Sequence, residues 1–406
     1  MAFSLFGARR EPRRQERARD ETAPERKASA VGGLTVVHAL GRAAWTPKET
    51  ASLARAGYAG NAVGFRCVRM IAEAAASIPF RFLEGGAEAA AHPLAELLAD
   101  PNPGQDGTAL LEAVYGHLQI AGDAYLEAVA DAAGRPAELH VLRPERVRVI
   151  PGPDGWPQAY EYRVSGKAHR FAMDVDAPPL LHLRAFHPLD DHYGMAPLEA
   201  AAASVDVHNA ASRWTKALLD NAARPSGAVI YKSADGRETL TDEQYRRLVS
   251  ELETHHQGAR NAGRPMLLEG GLDWKPMGYS PSDMEFLATK HAAAREIALA
   301  FGVPPMLLGL PGDNTYSNYH EANRAFWSQT VTPLVRRTGA ALSRWLGWRW
   351  GGAVRIEADL DRTPALAAER DAQWARIASA EFLDADEKRR LLGLPPRAAD
   401  RSGASR

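Results

Sequence analysis

The stretch that most constrains the fold lies between Ser280 and Gly347, which reads as a helix, a glycine-proline break, a polar loop and a much longer helix. Ser282, three residues before Glu285, has capping-box spacing, and Gly302 followed by Val303-Pro304-Pro305 stops the first helix sharply. Phe286, Leu287, Ile297, Leu299 and Phe301 supply its apolar packing residues. After Met306-Leu307-Leu308-Gly309, the small and polar run Pro311-Gly312-Asp313-Asn314-Thr315-Tyr316-Ser317-Asn318-Tyr319 predicts a loop. The second helix is expected from about Asn318 to Leu346, a rod of roughly 43 Å. Pro333 sits inside it, so the carbonyl of Gln329 loses its helical donor and a kink is expected there. A long bent helix behind a loop poor in charge suits an element that spans a subunit and presents the loop at a surface. It does not suit a catalytic pocket.

The rest of the chain alternates helical and extended patterns. Residues 1 to about 30 hold 8 positive and 5 negative charges with little apolar pattern after Phe6, the composition of a disordered arm. Asn61 caps a helix with Phe65, Val68, Ile71, Ala72, Ala75 and Ile78 on one face, ended by Pro79. A second helix begins near Thr108 and stops at Gly122. Ala124–Ala130, Leu139–Leu142, Arg146–Ile150, Tyr160–Val164 and Leu180–Arg184 alternate as strands of one twisted antiparallel sheet. Pro197 opens a helix running to about Ala223.

Ser226 to Gly278 reads as a small unit. Strand Ala228–Lys232 precedes a helix capped by Thr241 with Gln244, whose Tyr245, Leu248, Val249 and Leu252 share a face. A strand pair from Pro265 to Lys275 follows, broken at Gly270-Gly271. After Gly347, a strand at Val354–Ala358 leads to helices at about Pro364–Ala380 and Phe382–Leu392.

Composition excludes several classes. No run approaches the roughly 20 apolar residues of a membrane span, and Met1-Ala2-Phe3-Ser4-Leu5-Phe6-Gly7 precedes its arginines in the wrong order for a signal peptide, so a cytoplasmic chain is expected. The single Cys67 rules out an internal disulfide and reads as a packing residue. No GxxxxGK[ST] occurs to cradle a triphosphate. With 49 Lys plus Arg against 50 Asp plus Glu, the chain is nearly neutral, and no basic patch of the kind that grips phosphates appears outside the first 27 residues.

Four blocks in order make the sequence similar to a known family. They are NAVGFRCVRMIAEAAASIP from Asn61, HPLAELLADPNP with GHLQIAGDAY between His92 and Tyr125, YGMAPL from Tyr193 with RPSG at Arg224, and REIALAFGVPPMLLG with YSNYHEA between Arg295 and Ala322. Over about Asn61 to Pro396 the chain resembles the portal proteins of tailed bacteriophages, in their compact class, and the portals of gene transfer agents.

That resemblance implies an α+β portal fold with wing, stem, clip and crown regions, long helices plus antiparallel sheet, assembling as a dodecameric ring. It implies a disordered arm at 1–30, a wing at 31–196, stem helices at 197–225 and 280–303, a clip at 226–279, and a tunnel loop at 304–319. A long kinked wing helix at 320–347, a crown at 348–396 and a disordered tail at 397–406 complete the expectation. The ring would sit at one capsid vertex of a virion or gene transfer agent particle made in a bacterial cytoplasm. Double-stranded DNA would pass through it during packaging and ejection. The major capsid protein, the large terminase and a head-completion or adaptor protein are the implied partners, with no membrane, cofactor, metal or active site. The tunnel-loop residues Asp313, Asn314, Thr315, Tyr316, Ser317 and Asn318 would face DNA. Tyr245, Arg246, Arg247, Glu251 and His255 of the clip helix would meet the terminase or adaptor.

The rival reading is a metal-dependent hydrolase built from His182, His187 and His192 with Asp190 and Asp191. A spacing of five turns about 140° on a helix and reverses face on a strand, so these ligands could converge only from a loop. His255-His256 fits a helix C-terminus, where the dipole favours imidazole. Ser317, His320 and Glu321 lie too close in sequence to act as a hydrolase set. Trp345, Trp348 and Trp350 read as packing, since duplex bases offer no free faces.

Overall fold

The computed structural model describes residues 45–220, 227–231, 241–256, 272–276, 286–311, 316–350, 352–363 and 366–392. The expected N-terminal arm, the Ser282–Glu285 cap, the Pro265–Glu269 half of a strand pair and the last ten residues lie outside these.

Helix α1 (Thr50–Leu53) runs into a π-helical turn at Ala54–Ala59. Asn61 then caps α2 (Ala62–Ala76), its Oδ1 accepting from the amides of Val63 and Gly64 at 3.0 Å each. The same side chain donates through Nδ2 to His208 Nδ1 at 3.1 Å and to Asn209 Oδ1 at 2.9 Å. One cap thus holds a distant helix as well as its own. Cys67, Val68, Ile71, Ala72 and Ala75 are buried, and burial pushes the Cys67 thiol up to about 12. Phe65 departs from the expected buried face: it is exposed, its ring 5.0 Å from that of Tyr58.

Strands β1 (Phe80–Glu84) and β2 (Ala87–Glu88), then helices α3 (Pro93–Ala99) and α4 (Gly107–Ala121), follow. Gly122, at φ +76°, ends α4 in the left-handed conformation. Strands β3 (Asp123–Ala130), β4 (Pro136–Leu142), β5 (Val147–Pro151), β6 (Pro157–Val164) and β8 (Leu180–Arg184) fall where alternation predicts them. A further strand, β7 (Lys167–Ala172), follows the turn at Ser165-Gly166, where both φ angles are positive as a two-residue hairpin requires. The expected single sheet is two antiparallel sheets, β4-β3-β8 and β5-β6-β7. The cause is a 3-10 turn at Pro144–Arg146, which separates β4 from β5.

A buried polar cluster joins the two sheets. Asp123, first residue of β3, accepts from the Gly194 amide at 2.8 Å and from His182 Nε2 at 2.7 Å. With Nε2 carrying the proton, His182 Nδ1 accepts from the Tyr160 hydroxyl of β6 at 3.1 Å. The His182 ring stacks on Tyr125 at 4.3 Å, and Tyr193 Oη accepts from the Val149 amide of β5 at 3.0 Å. Burial pushes the Tyr160 phenol up to about 12 and the Tyr125 phenol higher still, so Tyr160 remains a donor. Gly122 and Gly194 touch backbone to backbone. A Cβ on either would overlap the other's carbonyl oxygen.

Beyond this contact, α5 (Pro197–Ala200) and α6 (Ala202–Asp220) form the expected helix with a turn at Ala201. Strand β9 (Gly227–Tyr231), helix α7 (Asp242–His256) and strand β10 (Leu272–Pro276) belong to a unit of their own. There β9 and β10 pair antiparallel, and Thr241 and Gln244 form the expected reciprocal cap.

The chain then returns as α8 (Phe286–Ala300), α9 (Tyr316–Ala325), a π-helical turn at Phe326–Val331 and α10 (Thr332–Leu346). The expected kink at Gln329 is that π turn: the chain widens just before Pro333 and the helix continues. Strand β11 (Val354–Ala358), expected at the start of the crown, pairs antiparallel with β1, from the first third of the chain. Helix α10 lies on it, with Gly339 and Gly347 allowing close approach. Between them Ser343 Oγ accepts from the Ile356 amide at 2.7 Å and has the Gly339 carbonyl at 2.7 Å and the Ile356 carbonyl at 3.1 Å as acceptors for its one proton. Helices α11 (Ala367–Ala378) and α12 (Ala385–Leu391) end the described chain, α12 with a capping box of Asp384 and Glu387. The main core gathers residues of α2, α4, α8, α10, β1 and β11, including Ile71, Tyr115, Ile297, Val335 and Ile356.

Two outcomes follow from these contacts. Gly194→Ala should cost about 1–3 kcal/mol, the usual range for overpacking, read as a lower melting temperature; an unshifted melt would contradict the contact. Burial, reinforced by the Lys290 charge, lowers the pKa of His208 from 6.5. The neutral ring suits its acceptor role toward Asn61, whereas the unfolded chain takes up the proton more readily. Stability present above about pH 6.5 should therefore be lost as pH falls below it. The melting temperature of the native chain should drop more steeply than that of His208→Gln between about pH 7.5 and 5.5; parallel curves would refute it.

Candidate functional site

The chain leading into the candidate channel loop is anchored at two points. At the end of α8, the Gly302 amide donates to the Leu299 carbonyl at 3.0 Å and the Val303 amide to that of Ala298 at 2.9 Å, with Gly302 at φ +67°. This is a Schellman ending, and it needs glycine. Thr330 Oγ1, in the π turn, donates to the Gly302 carbonyl at 2.7 Å, so the widened turn docks on the helix end. A 3-10 turn at Pro305–Leu308 and Gly309 at φ +71° carry the chain onward. The Arg295 guanidinium donates to the Pro311 carbonyl.

Asp313, Asn314 and Thr315 lie outside the described residues. Tyr316, Ser317 and Asn318, expected in the loop, form the first turn of α9, where the leading amides have no acceptor within the helix. Asn318 and Tyr319 are exposed. The loop is thus shorter than the residue pattern predicts, and the helix behind it longer, roughly 46 Å at 1.5 Å per residue.

On α7, Tyr245, Arg246 and Arg247 are exposed, while Leu248 and Val249 are half-buried. Tyr245 therefore departs from the expected apolar face. Arg246 Nε donates to the Asp242 carbonyl at 3.3 Å. Glu251 and His255 stand on the same helix, their side chains outside the described part.

The structure does not assemble the histidine site. His182 is consumed by Asp123 and Tyr160, His187 Nδ1 accepts from the Leu189 amide at 3.0 Å, and Asp190 caps the amides of His192 and Tyr193. Among the described residues, no group of three or more His, Cys, Asp or Glu gathers to hold a metal ion. Two of the three tryptophans pack: Trp345 is buried and donates to the Pro178 carbonyl at 2.8 Å, and Trp350 meets His92 edge-on at 5.8 Å. Trp348 is partly exposed, with the Arg349 guanidinium 5.6 Å from its ring centroid.

Sequence reasoning missed Arg295 and Thr330 as loop supports. A threonine inside a helical pattern and an arginine on an exposed face carry no local signal of a contact 16 or 28 residues away. Gly302→Ala should cost upward of about 1 kcal/mol because its φ is positive, and Thr330→Val about 0.5–1.5 kcal/mol for one hydrogen bond. Thermal unfolding of both variants tests this, and a Gly302→Ala chain as stable as the parent would contradict the assigned ending.

The family described as "Phage portal protein" matches residues 62–393 of the chain. A protein of Rickettsia bellii (strain RML369-C) is 40% identical over 342 residues, covering 83% of this chain and 88% of that one. The portal protein of Enterobacteria phage HK97 is 26% identical over 345 residues, 82% of this chain and 78% of its own. Among solved structures, a chain in the neck of a native gene transfer agent particle, computed with C12 symmetry, is 60% identical at a TM-score of 0.67. It is matched over 96% of its length by 88% of this chain. An HK97-family phage portal protein from Corynebacterium diphtheriae shares the fold at a TM-score of 0.55 and 15% identity, over 82% of this chain and 99% of its own. With the family model covering residues 62–393 and a relative 40% identical over 83% of its length, the chain belongs to the phage portal protein family.

Proposed function

We propose that copies of this chain close into a twelve-membered ring at one vertex of a gene transfer agent or phage head, through which double-stranded DNA is packaged and ejected. The observation that carries this reading is the 60% identity, over nearly the whole partner chain, to a protein standing in a particle neck computed with C12 symmetry. In this reading α6 and α8 belong to the stem helices, the unit of β9, α7 and β10 is the clip, and 304–319 is the tunnel loop, its last residues already in the first turn of α9. The clip helix, through Tyr245, Arg246, Arg247, Glu251 and His255, docks the large terminase and later a head-completion or adaptor protein. The wing meets the major capsid protein. With no P-loop in the sequence, the terminase supplies the ATP-driven work.

A channel that lets duplex slide needs contacts that are weak and blind to sequence. Asn314, Tyr316, Ser317 and Asn318 offer neutral donors, each worth about 0.5–1.5 kcal/mol to a phosphate, and Asp313 repeated around the ring adds mild repulsion. Arg295, donating to the Pro311 carbonyl, holds the start of the loop.

Electron microscopy of the purified chain should show rings with a central hole and twelve-fold symmetry. Asn314→Arg combined with Asn318→Arg should leave those rings intact and slow or stall DNA packaging, because ion pairs hold phosphates far more tightly than neutral donors. Packaged DNA at the parent level would sink the tunnel-loop assignment.

A further inference from the structure

An open cavity of about 760 Å³ lies where four pieces of the chain meet: the segment before α1, the π turn leading to α2, helix α6 and helix α8. Its volume falls in the range of small-molecule sites. The wall is tied together from within. Asp206 of α6 accepts from the Thr46 amide at 2.7 Å and from the Thr46 hydroxyl at 2.5 Å. Asn209 donates to the Ala56 carbonyl at 2.9 Å, and Asn61 donates to both His208 and Asn209. These wall groups are spent on one another, so the frame stands before anything enters it.

What remains is positive. Arg55 of the π turn, Arg213 of α6 and Lys290 of α8 line the cavity, and none of them has a hydrogen bond or ion pair among the described residues. The lining holds one carboxylate, Asp206, whose two oxygens are already taken by Thr46. Three cations against one carboxylate leave two positive charges in surplus. His208, also in the lining, is 8% exposed. Its Nδ1 accepts from Asn61, so the neutral ring carries its proton on Nε2, for which no acceptor stands among the described residues. The Lys290 charge reaches the same ring. A carboxylate, or a phosphodiester of a DNA backbone, brings a single charge and two free oxygens. A terminal phosphoryl group brings close to two charges and three acceptor oxygens at neutral pH. Two guanidinium forks, an ammonium and an imidazole N–H match the second set.

We propose that this cavity binds a phosphoryl dianion, either inorganic phosphate or a phosphate monoester, through Arg55, Arg213, Lys290 and His208. The site is separate from the candidate channel loop and does not depend on the ring reading. Isothermal titration calorimetry of the full chain tests it, with inorganic phosphate and deoxyadenosine 5′-monophosphate as probes and ionic strength held with chloride. One saturable phosphate site per chain is expected. Tighter binding of the nucleotide identifies a monoester as the ligand, and equal or weaker binding identifies free phosphate. Lys290→Gln with Arg213→Gln should weaken phosphate binding about tenfold or more, since charge-assisted bonds are lost. The melting temperature in chloride should stay at the parent value, because neither cation has a described partner to lose. Arg55→Gln alone, on a separate element, should weaken binding in the same direction. No saturable heat with phosphate, an affinity unchanged in these variants, or displacement of phosphate by a dephosphorylated DNA duplex would overturn the proposal.

Discussion

The contact on which the two sheets depend is the meeting of Gly122 and Gly194, sealed by the carboxylate of Asp123. Two peptide backbones approach so closely that neither position tolerates a Cβ, and the Gly194 amide is satisfied by Asp123 rather than by water. The same carboxylate orients His182, which in turn receives Tyr160 from the second sheet. A helix end, two sheets and the start of the α5–α6 helix are thereby held by one buried group. Removing it would leave an unpaired amide and imidazole in a dry site, a cost larger than the bonds themselves are worth.

The opposite side of the core is organised by small residues. Gly339 and Ser343 on α10, with Gly347 at its C-terminal cap, are spaced by four and let the helix lie directly on β11, where the Ser343 hydroxyl accepts from the Ile356 amide. An exposed strand edge is thus covered from within the chain. That packing fixes α10, and through the π turn it fixes Thr330 against Gly302, the point where the loop begins. The chain before the loop is tied at Gly302 and at Pro311, the latter by Arg295.

Much of this was legible in the residues. Asn61, Thr241 with Gln244, Gly122 and Gly302 announce helix ends because capping and positive φ are local requirements, and the alternating strands from Ala124 to Arg184 are visible for the same reason. The candidate loop could be placed between Gly309 and the long helix, although its polar composition concealed that Tyr316, Ser317 and Asn318 already belong to the helix. The histidine spacing, which invited a metal site, dissolves once His182 is seen turned inward on a strand while His187 and Asp190 serve the turn that follows.

Sequence by itself determined the long helices and most of the strands from Ala124 to Arg184, the helix boundaries set by glycine and proline, and the near-neutral charge that disfavours a DNA grip. Each depends on residues close in the chain or on a simple sum. Only the tertiary structure decided that β11 pairs with β1 across more than 270 residues, that the strands divide into two sheets, and that Arg295 and Thr330 brace the loop. Those choices are made by burial and by the satisfaction of distant polar groups, which leave no periodic mark on the sequence.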